Sequence, residues 1–89
     1  MKFELRIAHP ARRKLLRLDR VLQGRILTHL DKLCADPLSS PFSDWVEGGG
    51  SLRKSRVGSW RVIFAVDTAR RIVDVRSINQ RGQAYRLLN

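Results

Sequence analysis

The side chains best suited to chemistry in this 89-residue chain are cations and one tyrosine, gathered between residues 53 and 85. The candidates are Lys54, Tyr85, Arg53, Arg56, Arg61, Arg76 and Arg81. Such a set can cleave RNA, because the 2′-hydroxyl of the substrate is the nucleophile and the protein needs only to orient it and stabilise the charged phosphorane. Lysine can remove the proton, arginine can bind phosphate through its planar fork, and tyrosine can relay a proton or stack on a base.

Other reaction classes find few suitable side chains in the sequence. We find no Ser/His/Asp or Cys/His set and no His, Cys and carboxylate cluster at metal-ligand spacing. The two histidines, His9 and His29, lie far from the basic cluster in sequence, and the single cysteine, Cys34, falls on an apolar helical pattern that predicts a buried thiol. We therefore expect neither a metal nor a cofactor, and no disulfide.

The charge balance predicts an anionic partner. Lys and Arg number 18 against 8 Asp and Glu, which gives a net charge of +10, and 14 of the 18 cations are arginine. Nucleic acid is the first candidate, although net charge alone is equally compatible with a generally basic surface. With 89 residues and 43% hydrophobic content, residues 1–89 are expected to form a single domain.

Three runs rich in β-branched and aromatic residues, 52–57, 60–66 and 72–78, predict an antiparallel meander. Gly58-Ser59 suits a two-residue hairpin loop, which pairs Val57 with Trp60, Arg56 with Arg61 and Lys54 with Ile63. The next hairpin is predicted to set Arg61 opposite Arg76 and Ile63 opposite Asp74. One face then holds Val57, Trp60, Val62, Phe64, Val66, Val73 and Val75, and the other collects Lys54, Arg56, Arg61 and Arg76.

The first 35 residues predict one strand and two helices. Residues 2–8 alternate as a half-buried strand, and a helix begins near Pro10. A break near residues 18–20, with Asp19 as N-cap, starts a second helix from about Arg20 to Ala35. The expected class is α+β, with the helical hairpin packed on the apolar face of the sheet. No apolar run approaches the roughly 20 residues of a membrane span, and we expect a cytoplasmic protein that does not contact a membrane.

Nearly the whole chain resembles the RelE/ParE toxin superfamily. The resemblance lies in the order of strand, helical hairpin, loop and sheet, and in four segments: Leu52-Arg53-Lys54, Arg56-Val57-Gly58, Trp60-Arg61-Val62-Ile63 and Arg81-Gly82-Gln83-Ala84-Tyr85-Arg86. It implies a RelE-like microbial RNase fold.

A RelE-like member would be a metal-independent mRNA interferase, an endoribonuclease that cuts mRNA in the ribosomal A site. The matching positions imply Lys54 as general base, Arg61 as phosphate and transition-state clamp, Arg81 as phosphate ligand or proton donor, and Tyr85 as stacking or proton-relay group. Arg53, Arg56 and Arg76 would add phosphate contacts. Many members carry His before the terminal Arg where this chain has Gln80, and some carry a second Lys where it has Leu52.

The resemblance also implies partners and leaves alternatives open. The implied partners are mRNA, the ribosome and a cognate antitoxin that forms a heteromeric complex with an otherwise monomeric toxin. A ParE-like toxin has the same fold but inhibits DNA gyrase without cleaving RNA, and a non-catalytic basic module that binds nucleic acid is a third reading. Arg81 and Tyr85 favour the RelE-like reading over the gyrase inhibitor.

Overall fold

A computed structural model describes residues 2–38, 44–45 and 52–80 of the chain. Two helices and five strands follow one another as β1 (Glu4–Ile7), α1 (His9–Arg17), α2 (Arg20–Ala35), β2 (Asp44–Trp45), β3 (Arg53–Val57), β4 (Trp60–Asp67) and β5 (Ile72–Gln80). The order of strand, helical hairpin and meander confirms the α+β class predicted from the sequence.

The two helices begin and end where local sequence chemistry places them. Pro10 lies in the first turn of α1, where its missing N–H costs nothing. Asp19 caps α2 by accepting a hydrogen bond at Oδ1 from the backbone N–H of Leu22, at 2.9 Å, as predicted. Among the residues that the structure describes, no helix is long and apolar enough to cross a membrane.

The five strands form one sheet in the order β1-β5-β4-β3-β2. The strands β3, β4 and β5 are antiparallel neighbours, and β1 runs parallel to β5 at one edge. The two-residue strand β2 pairs with β3 at the other edge and was not anticipated from the sequence, because two residues are too short for an alternating pattern. The antiparallel hairpins therefore hold the basic segments at the middle and one side of the sheet.

The helices cover one face of the sheet and bury its apolar side chains. From α2, Ile26, Leu30 and Leu33 are fully buried, and they share the core with the sheet residues Val57, Val62, Phe64, Val73, Val75 and Ile78. Each such side chain contributes about 1.5–3 kcal/mol by leaving water. The predicted apolar face is thus confirmed.

The first hairpin has the predicted register, whereas the second does not. Val57, Arg56 and Lys54 pair with Trp60, Arg61 and Ile63. Arg61, however, lies opposite Asn79 rather than Arg76, and Ile63 lies opposite Ser77 rather than Asp74. Two features of the second hairpin change its register. The turn pairs Asp67 with Ile72, and a register shift between Ile63 and Phe64 then adds one further residue on β5. The alternation of β5 changes face there, so that Val75 and Ile78 both enter the core.

Candidate site on the uncovered face of the sheet

Three cations share the sheet face that is turned away from the helices, which we call the basic face: Lys54, Arg56 and Arg61. Lys54 and Arg56 alternate on β3 with the helix-facing Ser55 and Val57, and Arg61 pairs directly with Arg56 across the hairpin. Directly opposed side chains on antiparallel strands have Cβ atoms about 4.5–5.5 Å apart. The pairing therefore brings two guanidinium groups and one ammonium group into one small area.

The three cations differ in exposure. Arg56 is exposed and Lys54 is partly buried, whereas Arg61 is only 4% exposed although the two described helices lie on the other face. Next to Arg61, Ile63 is 4% exposed and packs against Leu52, so the basic face has a small apolar cluster of its own. The sequence predicted a cluster of exposed charges, but in the structure the side chain of Arg61 is buried.

Arg53 is placed on the other side of the sheet from these cations. It pairs with Phe64, alternates with Lys54 onto the face covered by the helices, and is 7% exposed. The structure therefore does not bring Arg53 together with Lys54 on one face of the sheet. Strand parity and burial separate Arg53 from the basic face, and its role as a phosphate contact stays a prediction.

Arg76 lies away from the paired arginines. One of its guanidinium nitrogens donates to Asp74 Oδ2 at 3.4 Å, and both side chains are substantially exposed. An exposed ion pair of this kind contributes little to stability, but it partly neutralises the cation. Arg76 thus lies at the margin of the basic face and not opposite Arg61, and its role as a phosphate contact stays a prediction. The other two predicted site residues, Arg81 and Tyr85, lie outside the residues that the structure describes.

One polar contact behind the basic face was not anticipated from the sequence. His29 Nε2 on α2 and the hydroxyl of Ser55 on β3 share a hydrogen bond on the helix-covered side. Burial lowers the pKa of His29, and the nearby Lys32 lowers it further. Because Ser55 is 3% exposed between Lys54 and Arg56, this contact fixes the strand that carries both cations. A serine at a core-facing position of β3 was the signal in the sequence that a buried partner was needed.

Asn79 is a second residue that sequence reasoning missed. It lies directly opposite Arg61 in the sheet, and its side-chain Nδ2 is buried without a hydrogen-bond partner. Asn79 was missed because the predicted register placed Arg76, rather than Asn79, opposite Arg61.

Other reactive groups lie elsewhere. Cys34 is 3% exposed in the core, where burial, aided by Asp31, raises the pKa of its thiol. Within residues 2–38, 44–45 and 52–80, no three His, Cys, Asp or Glu side chains are grouped so that they could hold a metal ion. The cations of the basic face are therefore the candidate site in the described part of the chain.

A family model described as the ParE toxin of the type II toxin-antitoxin system, parDE, matches residues 5–85. No curated protein matches the chain at a significant level.

Chains from solved toxin-antitoxin complexes share the fold. The chain is similar to a chain of the RelBE2 toxin-antitoxin complex of Mycobacterium tuberculosis, with a TM-score of 0.80 and 18% identity over 91% of this chain and 100% of that one. It is similar to a chain of the archaeal RelE-RelB complex of Pyrococcus horikoshii, with a TM-score of 0.78 and 25% identity over 93% and 99%. For the intact E. coli RelBE complex, the TM-score is 0.76 and the identity 16% over 88% and 95%.

Proposed function

The chain belongs to the ParE toxin family of type II toxin-antitoxin systems, and we propose that it acts as an endoribonuclease that cleaves mRNA by attack of the 2′-hydroxyl on the adjacent phosphate. One observation carries the proposal: Lys54, Arg56 and Arg61 converge on the sheet face that the helices leave uncovered. Like charges placed directly opposite on a sheet are destabilising, so folding alone does not account for the Arg56–Arg61 pair. A bound polyanion would turn that repulsion into attraction.

The basic face supplies the groups that the reaction needs. Lys54, partly buried beside two arginines, is proposed to remove the proton of the 2′-hydroxyl. Arg61 is proposed to bind the scissile phosphate and stabilise the charge that develops on it, while the exposed Arg56 holds a neighbouring phosphate. Since Arg61 is 4% exposed in the free chain, we expect RNA binding to uncover it.

Two further roles rest on the sequence resemblance. Arg81 is proposed as a phosphate ligand or donor of the proton to the leaving oxygen, and Tyr85 as a stacking platform for a base or a proton relay. Arg76, paired with Asp74, is proposed as a peripheral phosphate contact. The resemblance likewise suggests that cleavage takes place in the ribosomal A site.

A cognate antitoxin is the proposed protein partner. The similar chains from Mycobacterium tuberculosis, Pyrococcus horikoshii and E. coli come from toxin-antitoxin complexes. A net charge of +10 favours an antitoxin segment that is acidic where it contacts the toxin. We propose a monomeric free toxin that becomes heteromeric when the antitoxin binds.

Inhibition of DNA gyrase is the second candidate function, and the family match over residues 5–85 is the observation that favours it. A gyrase inhibitor needs a surface that binds the enzyme and does not need a general base or a phosphate clamp. Substitution of Lys54 or Arg61 separates the two functions, because loss of the general base or of the phosphate clamp abolishes cleavage but leaves binding by the remaining surface largely intact.

The experiment compares cells that express the wild type, Arg61→Ala, Tyr85→Phe and the control Arg70→Ala. Arg70 lies in the β4–β5 turn with a side chain that is 78% exposed, and the far end of β4 is about 20 Å from Arg61. Primer extension on mRNA should show new 5′ ends with the wild type and the control, and few or none with the two site variants. The same pattern of ends in all four strains would refute the catalytic assignment. If the mRNA stays intact and the purified protein inhibits DNA supercoiling by gyrase, the second candidate is favoured.

A further inference from the structure

We propose that Asn79 is an additional substrate ligand, whose side-chain amide donates a hydrogen bond to the phosphate that Arg61 binds. The inference deepens the proposed function and rests on it. It assigns a role to a residue that neither the motif resemblance nor the charge pattern singles out, because asparagine is neutral and lies outside the matching segments.

The first observation is an unsatisfied donor. Asn79 Nδ2 is buried and has no hydrogen-bond partner, while the residue as a whole is only partly buried. Leaving a buried polar group unpaired costs free energy, and folded proteins keep few of them, often at functional sites. The terminal torsion of asparagine is soft, so a small rotation of the amide can present Nδ2 to a ligand at the surface. A phosphate oxygen would satisfy this donor.

The second observation is the register shift in β5. Near the turn, Asp67 pairs with Ile72 and Ala65 with Asp74; if that register continued, Arg61 would lie opposite Ile78. The extra residue on β5, Arg76, has no partner between Ile63 and Phe64 of β4. It brings Asn79 opposite Arg61 and sends Ile78 into the core. Bulges of this kind often re-aim a side chain beside an active site. The irregularity thus places an amide donor, rather than an isoleucine, next to the guanidinium.

The two observations together predict an unusual combination of effects. A residue that serves the fold destabilises the protein when it is removed. Removal of an unsatisfied amide should instead leave the thermal stability unchanged or raise it, while RNA cleavage weakens. We expect Asn79→Ala to lower kcat/KM by about 10- to 100-fold, the factor that a hydrogen bond to a charged group is worth.

The test uses the purified full-length protein with ribosomes programmed with mRNA, and measures cleavage rate and Tm for wild type, Asn79→Ala and Asn79→Asp. The aspartate places a carboxylate opposite Arg61 that competes with phosphate, so cleavage should fall further than with alanine while Tm rises. Affinity for a 2′-O-methyl RNA oligonucleotide, which cannot be cleaved, gives an independent readout of the same contact. It should weaken in both variants.

The matched control is Gln23→Ala, because Gln23 carries the same amide but its Nε2 donates to the carbonyl of Leu18 at 2.8 Å on the helix side. That variant should lower Tm and leave the cleavage rate of the folded protein unchanged. If Asn79→Ala behaves like this control, Asn79 is a structural partner within the sheet and the inference is overturned.

The remaining outcomes separate the inference from the proposed function. If Arg61→Ala abolishes cleavage while Asn79→Ala cleaves and binds RNA as the wild type does, only the role of Asn79 fails. If the wild type cleaves no RNA, the proposed function fails. In that case the proposal that Asn79 binds phosphate is supported if Asn79→Ala weakens binding of the 2′-O-methyl oligonucleotide. It is refuted if binding is unchanged.

Discussion

Replacing Arg56 by glutamate should make the protein more stable and less able to bind RNA. Arg56 lies directly opposite Arg61, and like charges in that position cost about 0.2–1 kcal/mol, whereas an opposite-charge pair gains a similar amount. The exchange is therefore worth about 0.4–2 kcal/mol before screening. Because Arg56 is exposed, we expect the lower half of that range, about 0.5–1 kcal/mol. In a chain of this length, that raises Tm by about 2–8 °C.

The assay is thermal denaturation of Arg56→Glu at low and high salt, alongside Arg13→Glu. Arg13 is exposed on α1, away from the sheet, so the control changes net charge equally without altering a cross-strand pair. The stabilisation should exceed that of the control at low salt and shrink at about 1 M salt, where charges are screened beyond roughly 3 Å. Affinity for single-stranded RNA should fall at low salt, and the slope of log K against log salt should become shallower by about 0.7 for a lost phosphate contact. A Tm that falls, or that rises no more than in the control, would refute the claim that folding is opposed by the Arg56–Arg61 pair.

Three further predictions concern the helices. Asp19→Ala removes the cap of α2 and should cost about 0.5–2 kcal/mol, measured by urea denaturation; an unchanged midpoint would mean that the cap is redundant. The pKa of His29 is lowered in the folded chain, so the unfolded chain takes up a proton at this residue first as the pH falls below about 6.5. The contribution of neutral His29 to stability is complete above that pH and is lost as the pH falls further. Tm should thus fall between about pH 7.5 and pH 5.5, and His29→Gln should flatten the decline; an equal decline in the variant would contradict it. Cys34, buried with a raised pKa, should react with a thiol reagent only as fast as the protein opens, and reaction at the rate of a free thiol would contradict its burial.

Much of the fold could be predicted because its signals are local. Pro10 and Asp19 mark helix starts through backbone chemistry, and α2 spans Arg20–Ala35 as its apolar spacing predicts. Gly58, with φ of +60°, permits the tight hairpin that fixes the pairing of β3 with β4. Each of these features depends on neighbours within a few residues.

The second hairpin could not be predicted because its register depends on two non-local choices. The turn places Arg71 at φ of +56°, a conformation that an arginine adopts only with support; its guanidinium lies 4.8 Å from the centre of the Phe3 ring, and its carbonyl accepts a hydrogen bond from the N–H of Glu4. The bulge then moves β5 by one more residue. Both devices involve packing against β1 or the core, which alternation along one strand does not encode.

The site was predicted in the same uneven way. Lys54, Arg56 and Arg61 were placed together because they depend on the first hairpin alone. The burial of Arg61 and the position of Asn79 depend on how the face is packed, so the charge pattern gave no indication of either. Arg53 was included for its charge, although strand parity already placed it on the helix-covered face.

The measurement that tests the central claim most directly is cleavage of ribosome-bound mRNA by the purified protein, with the 2′-hydroxyl at the cut site either present or replaced by 2′-O-methyl. The basic face is proposed to activate that hydroxyl, so the natural mRNA should be cut to give a cyclic phosphate end, and the modified mRNA should stay intact at that position. Lys54→Ala and Arg61→Ala should cut neither. Equal cleavage of the two mRNAs, or undiminished cleavage by both variants, would contradict the account.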